Sequence, residues 1–382
     1  MKRANGEGCI SKYGDKWRGR FTDPVSRRQR SVYGATQKEC KEKLDAMLET
    51  IRKGQYVAPT VETTATWLDT WFSSYYCIGT KQSTQASTHN DIKVLKGYIG
   101  SIPLQRLNTE HIQAMICKMT ESGLAASTII RKVKVLKQAL NKAVKRKKIR
   151  ENPVYDCTLP QNTKPEIAFL TESEQEALLS VIPNTTHGRA IRFLLGTGMR
   201  VSELCGLKWA DFQSDGIHVE RVNMTIQDWR NDGYINVETL PKTTRGKRVI
   251  PLTQTLIILL NRQRVAQKQE CLKTGWAYDE KTSYIFANIL GNPADRSNIA
   301  RAYRSLCKKA GIEPRGIHTL RHTFATNWVR HSPDVPTLSR ILGHADAAFT
   351  YKVYCHADQT SMKNGMEMME TFISTDASAV NE

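Results

Sequence analysis

The sequence predicts a multidomain, mainly α fold with small β-sheets, and three observations carry that prediction. The chain has 382 residues, more than one ordinary domain of about 150 residues holds. Short β-rich segments cluster in two places, near residues 9–33 and 217–252, while most of the remaining chain repeats apolar residues at helical spacing. Asn152-Pro153 and then Pro160 to Pro165 interrupt that periodicity as an interdomain connector does.

Taken in order, residues 1–57 read as a three-stranded antiparallel sheet followed by a helix. Cys9 to Tyr13, Lys16 to Thr22 and Arg30 to Tyr33 are the strands, separated by the turn formers Gly14-Asp15 and Asp23-Pro24. Thr36 caps the helix with Glu39 three residues on, Leu44, Met47, Leu48 and Ile51 form its apolar stripe, and Gly54 ends it. Residues 62–155 are helical throughout. Trp67, Leu68, Trp71, Phe72 and Tyr75 fall at core spacing, and further helices run from Ser87 to Ile99, Asn108 to Ser122 and Ala126 to Lys148. A third domain, 168–382, opens with a capping box at Thr171 and Glu174 and mixes helices with the strands Ile217 to Val222, Tyr234 to Val237 and Lys247 to Leu252.

Composition narrows the function. Lysine and arginine number 56 against 37 acidic residues, a net charge of +19 that suits a polyanionic partner. The first 57 residues carry fourteen basic and seven acidic groups, and Arg18, Arg20 and Arg28 lie on or beside the strands, so the small sheet is a candidate to enter a groove of double-stranded DNA. Ser127 to Arg150 carries ten basic residues and no acidic one, self-repulsion that phosphate contacts would offset; Arg131, Lys132, Lys134 and Lys145 are the candidate contacts there. Nine cysteines are scattered without metal-site or disulfide spacing, no apolar leader follows Met1-Lys2-Arg3, and no apolar run is long enough for a span, so a cytoplasmic protein without metal or nucleotide cofactor is expected.

The chemistry concentrates in the third domain. Leu194-Leu195-Gly196-Thr197-Gly198-Met199-Arg200 sets a guanidinium at the head of a helix, a phosphate clamp that Glu203 can aim one turn on. Lys242 sits in Pro241-Lys242-Thr243, before the last strand, where a lysine can protonate an oxygen. His318 and Arg321 are three apart on one helical face, and an apolar run then leads to Leu342-Gly343-His344 and, ten residues later, to Tyr354.

Arg200 in Gly-Met-Arg-Val-Ser-Glu-Leu, Lys242 in Pro-Lys-Thr, His318-x-x-Arg321-His-Thr, Leu-Gly-His344 and Tyr354, in this order and spacing, resemble the tyrosine recombinases of the phage-integrase family, those of conjugative transposons and temperate phages above all. The resemblance implies that Tyr354 attacks a DNA phosphodiester to form a covalent 3′-phosphotyrosyl link. Arg200, Arg321 and His344 would hold the non-bridging oxygens, Lys242 would protonate the departing 5′-oxygen, and His318 would assist proton transfer or orient the phosphate. It further implies a core-binding, SAM-like helical domain, an arm-type DNA-binding sheet, a homo-tetramer on DNA with core and arm-type sites, and a small accessory excisionase as possible partner. The expected function is integration and excision of a mobile element.

The residues ask for the same chemistry independently. A phosphodiester under attack gathers charge on its equatorial oxygens, which two guanidiniums and imidazole donors can stabilise. A tyrosine with its reference pKa of about 10 needs a neighbouring cation or base to attack readily. Tyr351, three residues before Tyr354 and near the same helical face, is the rival nucleophile. Ser361 to Ile373, with Met362, Met366, Met369 and Phe372 at helical spacing, reads as an amphipathic tail that docks on a neighbouring subunit. Two other functions share the pattern, a type IB topoisomerase-like relaxing enzyme and a catalytically silent DNA-binding regulator.

Overall fold

The structure, a computed structural model, describes residues 8–54, 56–162, 167–231, 233–241, 246–332, 334–344, 348, 350, 351 and 369. Lys242, Tyr354 and the tail segment from Ser361 to Ile373, Met369 excepted, lie outside the described residues. The chain divides into two compact units, Met1–Lys164 and Pro165–Glu382.

In the first unit, β1 (Cys9–Tyr13), β2 (Lys16–Thr22) and β3 (Gln29–Gly34) form an antiparallel sheet in that order. Cys9 pairs with Arg20 across β1 and β2, and Arg18 with Tyr33 across β2 and β3. The α1 helix (Gln37–Arg52) begins where the sequence says it should, because the Thr36 side chain accepts from the Glu39 N–H at 3.2 Å while the Glu39 carboxylate takes the Ala35 N–H at 2.7 Å. Its Leu44 forms a core with Phe21 and Tyr56, against which Ile10, Val32, Met47, Leu48 and Ile51 pack. Gly34 permits the close approach: a Cβ there would lie 2.6 Å from the Cys40 nitrogen. Alternation along β2 puts Arg18 and Arg20 on the face opposite Gly19 and Phe21, which face α1. Arg18 lies 4.5 Å over the Tyr13 ring, Arg20 reaches Cys9, and Arg28 is exposed in the turn before β3.

The rest of this unit is a helical block: α2 (Thr64–Trp71), running into a π-helical turn at Phe72–Tyr76, then α3 (Gln82–Ile99), α4 (Thr109–Glu121) and α5 (Ala126–Lys145). Trp67, Leu68, Trp71 and Phe72 are buried, and the Trp67 indole donates to the Ala139 carbonyl at 3.0 Å. Helix α3 starts five residues before its expected start. Helix α5 corrects the expected basic stripe at one position. Lys132 is 5% exposed and its ammonium donates to Asp91 at 2.8 Å, because it falls on the same helical face as Ile129, Val133 and Leu136. Arg131, Lys134 and Lys145 are exposed, whereas Lys142 and Arg146 lie over the Tyr75 ring at 4.5 and 5.2 Å.

In the second unit α6 (Glu172–Val181) starts at a complete capping box, Thr171 accepting from the Glu174 N–H at 3.2 Å and Glu174 from the Thr171 N–H at 2.8 Å. Helices α7 (Thr186–Thr197) and α8 (Val201–Leu204) follow. The strands separate into two sheets. One is β4 (Phe212–Gln213), β5 (Gly216–Val219) and, beyond it, β8 (Arg248–Ile250); the other is the hairpin of β6 (Val222–Asp228) and β7 (Gly233–Thr239). The expected strand Ile217 to Val222 breaks before β6, where Arg221 turns to bond Asp211. Helices α9 (Gln254–Thr274), α10 (Arg296–Lys309), α11 (Thr319–His331) and α12 (Val335–Leu342) complete the described elements. Phe193, Leu204, Trp209, Ile285, Phe286, Tyr303 and Leu320 lie in one core. Among the described residues no helix is long and apolar enough to cross a membrane.

Candidate active site

Arg200 stands at the N-terminus of α8 because Gly198 ends α7 in the left-handed region, φ 63°. A side chain at Gly198 is excluded twice over, since a Cβ would come within 2.4 Å of the Phe324 ring. The Glu203 carboxylate, 2% exposed, receives the Arg200 N–H and its guanidinium, both at 2.9 Å, and so aims a side chain that is itself 38% exposed. Arg248, on β8, grips the same carboxylate at 2.8 and 3.3 Å. Burial alone would push Glu203 upward, but Arg248 and then Arg200 outweigh it and hold the carboxyl below the ordinary glutamate range.

Arg321, on the first turn of α11, is 2% exposed. It donates to the Gly198 carbonyl at 3.0 Å, to the Leu342 carbonyl at 2.7 Å and to His344 Nε2 at 2.8 Å. A guanidinium cannot accept, so His344 Nε2 is the acceptor and its Nδ1 carries the proton, which it donates to Thr350 Oγ at 2.8 Å. His344 is held at about 4, first by burial and then by the charges of Arg321, Arg200, Arg248 and His318. His318, at the N-cap of α11, also falls to about 4: surrounding protein atoms desolvate it although the ring keeps an opening to solvent, and His322, Arg321, Arg200 and Arg296 add like charge. Its ring meets that of His322 edge-on at 4.8 Å.

Four of the six sequence-predicted catalytic residues, Arg200, His318, Arg321 and His344, thus share one electrostatic neighbourhood, with Glu203 as the carboxylate that binds its arginines. Lys242 and Tyr354 lie outside the described residues; Tyr351 is helical and 49% exposed. Two contributors were missed from the sequence, Arg248 and Thr350. For Arg248 a signal existed: it shares the inward side of β8 with buried Ile250. A cluster in which three guanidiniums outnumber one carboxylate has the electrostatics to accept an anionic group.

A family model described as the phage integrase family matches residues 168–361, and one described as the phage integrase SAM-like domain matches residues 70–159. The chain belongs to the phage integrase family and is a site-specific DNA recombinase of the tyrosine class, an enzyme that cuts and rejoins strands. Its relatives are specific. It is 30% identical over 361 residues to a tyrosine recombinase XerC-like protein of Caldanaerobacter subterraneus subsp. tengcongensis, covering 89% of this chain and 91% of that one. It superposes with a TM-score of 0.66 and 26% identity on the Tn1549 transposon integrase in complex with a circular intermediate DNA, covering 81% of this chain and 99% of that one. A lambda integrase tetramer bound to a Holliday junction, 17% identical with a TM-score of 0.56 over 94% of this chain and 99% of that one, shares the fold.

Proposed function

We propose that this chain is the integrase of a mobile element, which cuts DNA through a 3′-phosphotyrosyl intermediate with Tyr354 as nucleophile and rejoins it to a new partner. The observation that carries this reading is the shared electrostatic neighbourhood of Arg200, Arg321, His318 and His344, with Arg200 held by Glu203 and Arg321 bonded to His344. Arg200 and Arg321 bind the non-bridging oxygens of the scissile phosphate. His318 and His344 enter neutral, and the arriving phosphate raises their proton affinity, His344 donating from Nε2 once Arg321 swings from that nitrogen to the phosphate. Lys242 protonates the departing 5′-oxygen, and the energy of the broken bond is kept in the tyrosyl ester, so that rejoining draws on no nucleotide.

The remaining domains then divide the DNA. Residues 1–57 bind arm-type sites through the face that carries Arg18 and Arg20, with Arg28 beside it, and residues 62–155 hold the core site through Arg131, Lys134 and Lys145. Residues 168–382 act on the phosphodiester. A separate basic unit ahead of the helical block favours a recombinase that bridges sites over a relaxing enzyme that works on one. Synapsis is by a homo-tetramer, as the lambda integrase tetramer on its junction suggests, and a small accessory excisionase sets direction in the cytoplasm of the host.

The test is a nicked, footprint-mapped cognate DNA from which the cut end escapes, trapping the intermediate. Wild type is expected to give a denaturant-resistant protein–DNA adduct that disappears in Tyr354→Phe and persists in Tyr351→Phe. Loss in Tyr351→Phe alone moves the nucleophile, and tight binding without any adduct favours the silent regulator.

A further inference from the structure

Arg248 is 6% exposed on its side chain, and its donors reach three separate segments of the catalytic unit. Two go to Glu203, as described. A third contact, from Nη1, reaches the Gly246 carbonyl at 3.0 Å, and Nε donates to the Ile341 carbonyl. The last contact lies at the C-terminus of α12, where carbonyls are left over as the helix ends and attract cations. Gly343, at φ 66°, turns the chain there, its N–H returning to Arg340 and the His344 N–H to Ser339. The next two carbonyls are taken one each by arginines: Ile341 by Arg248 and Leu342 by Arg321. Arg248 therefore touches both the carboxylate that aims Arg200 and the turn that presents His344.

We infer that Arg248 is a positioning residue for strand cleavage, which fixes Arg200 through Glu203 and His344 through the end of α12 without itself meeting the phosphate. This rests on the recombinase reading above. Its position explains why a full positive charge is kept on the inward side of a three-residue strand beside Ile250: an apolar residue there would leave Glu203 buried against Arg200 alone. The charged groups that face Glu203 are Arg248 from β8 and Arg200 from its own helix, with His344 responding to both arginines from the end of α12.

The sign of the effect follows. Arg248 leads the influences that oppose burial and keep Glu203 ionised. Without it the Glu203 carboxyl shifts upward toward the protonated form, which holds the Arg200 guanidinium less well. Activity then returns only as pH rises and Glu203 ionises.

The experiment measures adduct formation on the nicked cognate DNA at saturating protein, from neutral to alkaline pH, for wild type, Arg248→Met, Arg248→Lys, Glu203→Gln and the double variant Arg248→Met with Glu203→Gln. DNA affinity and thermal melting are recorded alongside. Arg248→Met is expected to cleave about ten- to a hundred-fold more slowly at neutral pH, to bind DNA nearly as wild type does, and to recover rate as pH rises. Arg248→Lys, which keeps the charge but not the fork, should fall between the two. The double variant should be no slower than the worse single one, because losing Arg248 already disables the route through Glu203. Wild-type rates in a folded Arg248→Met overturn the inference, as do a loss that is equal at every pH and follows melting, or losses that multiply in the double variant. Absence of an adduct in wild type overturns instead the recombinase reading, and this inference with it.

Discussion

In the first unit Asp91, 2% exposed, takes the Lys132 ammonium at 2.8 Å and the Arg131 guanidinium at 2.9 Å. In the second unit Glu203, 1% exposed, takes Arg248 at 2.8 Å and Arg200 at 2.9 Å. Each is a sunken carboxylate with one buried cation, 7% and 6% exposed on the side chain, and one that reaches outward, 54% and 38% exposed. The difference is in the surroundings of the outward arginine. Arg131 shares its helix with Lys134 and Lys145, charges spread along a surface. Arg200 shares its field with Arg321, His318 and His344, groups close enough to depress the proton affinity of both imidazoles. A buried ion triad is therefore a structural device, and convergence of further donors on its outer member turns one into a candidate reaction centre.

That contrast can be broken at three places. The largest effect on folding is expected from Asp91→Ala, which leaves Lys132 buried without its partner. Denaturant unfolding of the first unit should lose about 3–5 kcal/mol, while cleavage per bound protein stays unchanged in conditions where the variant is folded. Arg200→Ala should do the reverse, leaving Arg248 still paired with Glu203 and unfolding close to wild type. Its adduct formation on trapped DNA should fall about a hundred- to a thousand-fold, the range for removing one preorganised transition-state donor. The smallest change is Arg131→Ala, a half-exposed member whose loss costs at most about 1 kcal/mol of stability. Titration across salt concentrations should show its DNA affinity reduced and the logarithmic salt slope smaller by about one. An Arg131→Ala protein whose cleavage chemistry collapses at saturating DNA would abolish the distinction between the two triads.

What the sequence made legible was mostly local. Thr36 and Thr171 announce helix starts because a cap and its partner lie within one turn of chain, and the three strands before α1 are marked by their own turn residues. The pairing of Arg200 with Glu203 was readable for the same reason. The burial of Lys132 is not legible in the run of basic residues and follows only from its helical face, which it shares with Ile129, Val133 and Leu136 in the core. Arg248 was not legible from neighbours, since Glu203 is 45 residues away and Ile341 is 93. Only the two-residue period of β8, setting a charge on the side of Ile250, hinted that a buried partner exists. Thr350 gave no hint, because no helical or strand spacing in the sequence sets a hydroxyl six residues on beside a histidine.

The Arg321 contacts also set the terms on which this enzyme can change. One side chain ties the end of α7 at Gly198, the end of α12 at Leu342 and the imidazole of His344 into a single knot. Any replacement of Arg321 therefore loosens two helix ends and an imidazole together.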